Sequence, residues 1–63
     1  MTNLKKLSIS VLIDWYEEAF NEDACMYDLA DKLGINWSTI DLRGKIQRTL
    51  ESELLRRGAT IVI

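Results

Sequence analysis

The sequence predicts an all-α domain of three to four short helices, a single unit over residues 1–63, and three observations carry that prediction. Met26, Leu29, Ala30 and Leu33 fall at i, i+3, i+4 and i+7, one face of a helix. Leu42, Ile46, Leu50 and Leu54 repeat at i+4. Gly34 and Gly58 each follow a helical pattern where a C-terminus favours a left-handed residue.

The first helix is expected from a Ser8 or Ser10 cap to about Phe20, after an arm over 1–6 that carries Lys5 and Lys6. Ile9, Leu12, Ile13, Tyr16 and Phe20 make its apolar stripe, widened by Val11, Trp15 and Ala19. Asp14, Glu17 and Glu18 occupy the remaining polar side. Asn21 closes this helix and Asp23 caps a second, over about Ala24 to Leu33, with Cys25 beside its stripe as a small buried or half-buried hydrophobe. A third helix starts at Asn36 or Ser38, and Trp37 is expected in the core. A break or kink is expected at Gly44, the alternative being one helix from about Trp37 to Arg57. Arg56 and Arg57 suit a helix C-terminus, and the apolar, β-branched run over 59–63 reads as a short strand.

Composition bounds the function. A chain of 63 residues buries only about 60% of its unfolded surface, so stability is marginal unless something assists. One cysteine and no histidine leave neither an internal disulfide nor a Cys/His zinc site, and no metal or other cofactor is expected. A homodimer is the expected remedy, through the first helix, the Ile46, Leu50 and Leu54 face, or the tail with Ile61 and Ile63. No apolar run reaches the ~18 residues of a membrane span. Asp14 interrupts the apolar start and no cleavage site follows, so a signal peptide is not expected and the cytoplasm is. The carboxylates lack a partnering base, which argues against an enzyme.

Net charge is −2 and the pI about 4.9. Residues 1–33 net −4 and residues 34–63 net +2, so the back half has room for an anion-binding face.

The run Leu29 to Ile40, LADKLGINWSTI, resembles the helix-turn-helix of bacterial and phage transcription regulators. The pattern of that family has a small residue in its first helix, a turn glycine four positions on and an aliphatic anchor six later; here they are Ala30, Gly34 and Ile40. Leu29, Leu33 and Ile35 match its supporting aliphatic positions. The resemblance implies a helix-turn-helix at about 24–44, with residues from Asn36 to Lys45 entering the major groove of double-stranded DNA. By position, Asn36, Trp37, Ser38, Asp41, Leu42 and Lys45 then face DNA, with Thr39 close by. Asn36 suits adenine, Arg43 suits guanine or phosphate, Ser38 and Thr39 suit either, and Lys45 and Arg48 suit phosphates. The chain departs from the pattern at Arg43, where the family has an aliphatic residue. A small DNA-binding regulator, bacterial or phage and dimeric, is the first reading. The rival is an acidic all-α module of the phage type that modulates a host protein without binding DNA. An exposed apolar patch of Trp37, Leu42 and the 59–63 run around the third helix would favour that rival, and Arg43, Lys45 and Arg48 on one open face would favour DNA.

Overall fold

Ser8 opens the first helix. Its hydroxyl oxygen accepts from the Val11 amide at 3.3 Å, satisfying one of the amides that a helix start leaves unpaired. In the computed structural model, which describes residues 4–58, three α-helices follow: α1 (Ile9–Glu18), α2 (Met26–Leu33) and α3 (Leu42–Arg56). Leu4–Lys6 form a 3-10 turn ahead of them, where the sequence suggested a loose arm. The described residues contain no strand. The tail over 59–63, with Ile61 and Ile63, lies outside them.

α1 and α3 run antiparallel, and polar ties at both ends fix this. At one end Arg43 and Gln47, in the first turns of α3, reach the Ala19 carbonyl just past α1. At the other, Arg57 donates to the carbonyls of Leu4 and Leu7 ahead of α1. α2 packs against α3. The core lies between the three: Leu12, Tyr16 and Ala19 from α1 and its end, Leu29 and Ala30 from α2, and Ile46, Leu50 and Leu54 from α3. Leu12, Leu29, Ile46, Leu50 and Leu54 are fully buried, each burial contributing roughly 1.5–3 kcal/mol.

This core corrects several expectations. Ile46, Leu50 and Leu54, proposed for a dimer seam, are inside the protomer, because the i+4 row of α3 faces both other helices. The broad α1 stripe divides: Leu12 and Tyr16 turn inward, while Ile9, Ile13 and Phe20 remain exposed. Cys25 is exposed at the N-cap of α2, where its backbone and not its side chain serves the helix. Asp23 is not that cap; its amide donates at 2.9 Å to the Asn21 side chain within the preceding turn.

The largest shift concerns the third helix. Gly34 ends α2 as expected, at φ 72°, and the Ile35 amide bonds back to the Ala30 carbonyl at 2.8 Å. Residues 35–41 then form turns, and the helix begins at Leu42. Asp41 sets that start: its Oδ1 accepts from the Gly44 amide at 3.3 Å, with its own backbone left-handed at φ 56°. Gly44 therefore lies inside the first turn of a continuous helix, with no break there. α3 ends before Gly58, which takes the positive φ (82°) expected of a stop.

Candidate functional site

The residues expected to read DNA are not gathered on one helix. Asn36 and Ser38 satisfy each other locally, with Asn36 Oδ1 accepting from the Ser38 amide at 2.9 Å and from its hydroxyl at 2.8 Å. Their turn preorganises the connection; it is not the first turn of a recognition helix. The Thr39 amide donates to the Asn36 carbonyl at 3.1 Å in the same turn. Ile40, expected to anchor a recognition helix in the core, is 93% exposed, since no helix exists at 36–41 to turn it inward.

Arg43 is committed elsewhere. Its Nη1 donates to the carbonyls of Ala19 (2.9 Å) and Asn21 (3.0 Å), closing the end of α1 and leaving Arg43 half-buried. This accounts for a cation at the position where the helix-turn-helix pattern carries an aliphatic residue.

Lys45 and Arg48 do share a face. With Thr49 and Ser52 they occupy i, i+3, i+4 and i+7 of α3 and, with Leu4 and Glu53, line an open groove of about 410 Å³. Arg48 lies 3.7 Å from the Asp41 carboxylate, an exposed pair that takes up part of its charge. In the lining of the groove, Glu53 accepts from Arg56 Nε (3.2 Å) and Arg57 Nε (2.8 Å). Side-chain hydrogen bonds from Arg56 and then Arg57 hold its carboxyl at about 2, well below the usual range. The clasp ties the end of α3 to the chain ahead of α1 and presents no free base.

A second surface forms around the connection between α2 and α3. Tyr27, on the side of α2 away from the core, and Trp37 bring their rings to 5.6 Å between centroids at 53°. They are 57% and 58% exposed, so Trp37 is a surface residue and not the expected core plug. Tyr27 was missed in the sequence; its signal was an aromatic ring outside the Met26, Leu29, Ala30 and Leu33 stripe. Leu42, by contrast, packs half-buried against the core and does not join this patch. The other tryptophan, Trp15, is half-buried with Lys32 Nζ 5.4 Å from its ring centre.

No protein-family model matches the chain, and comparison with curated proteins and with solved structures finds no match. No helix among the described residues is long and apolar enough to cross a membrane.

Proposed function

We propose that this chain is a small helical interaction module that docks on a partner protein through Tyr27, Trp37 and Ile40. The observation that carries this reading is the exposure of two large aromatic side chains in mutual contact, with a nearly bare Ile40 on the same connection. Buried aromatic anchors supply much of the affinity of protein interfaces, tyrosine and tryptophan above all. The acidic balance of the chain is compatible with such a partner and unfavourable for the phosphate backbone of DNA. Selection of a random 12-residue peptide library on the immobilised protein tests the reading. Enriched peptides should lose binding to Trp37→Ala and to Ile40→Ser; a selection that enriches nothing, or peptides indifferent to both variants, would remove it.

The regulator reading is favoured by one separate feature, the Lys45, Arg48, Thr49 and Ser52 face of α3. In this form α3 is the reading helix and starts at Leu42, after a longer turn than the family pattern has. Fluorescence anisotropy against random duplex DNA at about 50 and about 200 mM salt separates the two. Salt-sensitive binding lost in the Lys45→Ala, Arg48→Ala double variant would favour DNA. No binding at the lower salt leaves the protein partner.

A homodimer belongs to either reading through α1 and the turn after it, where the exposed Ile9, Ile13 and Phe20 remain for a second copy. Sedimentation of the wild type and of Ile13→Glu checks it, and a monomeric wild type removes it. The reading sets the module in the cytoplasm, where the exposed Cys25 thiol stays reduced.

A further inference from the structure

The aromatic patch lies beside exposed carboxylates of α2. That helix, which carries Tyr27, holds Asp28 and Asp31 against one cation, Lys32, while Asp41 at the end of the connection is paired with Arg48. Lys32 lies over the Trp15 ring. Asp31 stands at i+4 from Tyr27, so its carboxylate is on the same side of α2 as the Tyr27 ring. Asp28 and Asp31 are both exposed, and neither has an ion-pair partner among the described residues. Two exposed rings in tilted contact, with an unpaired carboxylate one helical turn along from Tyr27, are complementary to a side chain that is flat or slender, apolar along its stem and positive at its tip. Arginine and lysine have that form: the rings attract the cation through their quadrupoles and cover the methylene stem, while the carboxylate supplies charge.

We infer that Tyr27, Trp37 and Asp31 form a cradle for an arginine or lysine side chain presented by a cationic segment of the partner protein. The inference rests on the protein-interaction reading and narrows it to one partner chemistry. It also separates this surface from the Lys45 and Arg48 groove, whose charge favours the opposite kind of ligand.

The test starts from the same 12-residue library and divides the outcomes. Peptides that depend on Trp37 are resynthesised with a fluorescent label, with each arginine replaced by citrulline and each lysine by acetyl-lysine. Both replacements keep the stem and remove the charge. Affinities are read by anisotropy with wild-type protein and with Asp31→Asn, whose folding is confirmed by circular dichroism. The expected result is a selected pool rich in arginine and lysine, with roughly tenfold weaker binding after neutralisation, the combined effect of a cation–π contact and one partly screened charge pair. Asp31→Asn should weaken the charged peptides several-fold and leave their neutral versions unchanged. Trp37-dependent peptides that are neutral or acidic, or that keep their affinity when neutralised, would overturn the cradle and leave the interaction module standing. A pool that depends on Ile40 and not on Trp37 would overturn the cradle alone, and an empty selection, or peptides indifferent to both Trp37→Ala and Ile40→Ser, would take down both.

Discussion

Arg43 Nη1 donates to the Ala19 carbonyl at 2.9 Å, joining the first turn of α3 to the end of α1 across 24 residues of sequence. The same nitrogen reaches the Asn21 carbonyl at 3.0 Å, and Gln47 Nε2 shares the Ala19 acceptor at 3.0 Å. The last carbonyls of a helix have no partner within it, and Ala19 is fully buried, so water cannot readily replace these donors. Arg43→Met keeps the stem and removes the fork. It should cost about 1.5–3 kcal/mol, the range for hydrogen bonds from a charged group. Gln47→Leu should cost less, because Arg43 still covers the acceptor. Urea unfolding of the two variants checks the order; a larger loss for Gln47→Leu would contradict it.

The helices were legible because their signals are local. Ser8 caps α1, Gly34 ends α2 and Gly58 follows α3, each on a short-range backbone requirement that residue type reveals. The i+4 row through Leu54 favoured continuity at Gly44 and the glycine itself favoured a break; the expected break is absent, because the Asp41 cap places Gly44 in the first turn of α3. What could not be read was which way a residue faces when two patterns compete. Trp37 and Ile40 look like core residues by type, yet the Asn36–Ser38 turn and the Asp41 cap hold their segment out of helix. Arg43 looked free because its acceptors lie more than twenty residues away. The candidate site was therefore less visible than the fold: its two rings meet only once Gly34 and the following turns bring the connection back along α2.

Glu53 makes stability depend on pH in a definite direction. Its carboxyl is held at about 2 in the folded chain against an ordinary value of 4.5. A carboxyl whose folded value is depressed stabilises the fold above its unfolded value, and that contribution is lost as pH falls through the folded one. Wild type should therefore lose melting temperature between about pH 5 and pH 2 more steeply than Glu53→Gln. Thermal melts across that range give the comparison, and parallel curves would mean that the clasp with Arg56 and Arg57 carries no pH dependence.

Tyr16 offers a substitution that should not hurt. It is 8% exposed, its ring meets Phe20 edge-on at 5.0 Å, and its hydroxyl has no hydrogen-bond partner among the described residues. Burial, and then the charge of Glu51, push its ionisation upward. A buried hydroxyl without a partner costs desolvation free energy and returns nothing, whereas the ring contact survives in phenylalanine. Tyr16→Phe should leave stability unchanged or raise it by up to about 1 kcal/mol. A loss above that in urea unfolding would reveal a partner for the hydroxyl.

Asp41 and Gly44 should prove coupled. A Cβ added at Gly44 would fall 2.2 Å from Asp41 Oδ2 and 2.7 Å from its Cγ, so the capping carboxylate has to move. In an ordinary helix interior, glycine to alanine gains about 0.5–1 kcal/mol from propensity. Here that gain is set against the loss of an N-cap, about 1 kcal/mol, so Gly44→Ala alone should be close to neutral or slightly destabilising. Asp41→Ala gives up the cap in advance and also places alanine in a left-handed backbone, so it should destabilise on its own. In that background the cap is already gone and Gly44→Ala should recover the full propensity gain. A double-mutant cycle by urea unfolding reads the difference as a coupling of about 1 kcal/mol. Additive effects would mean that Asp41 can cap α3 from another rotamer, and that the start of the helix does not depend on the absence of a side chain at Gly44.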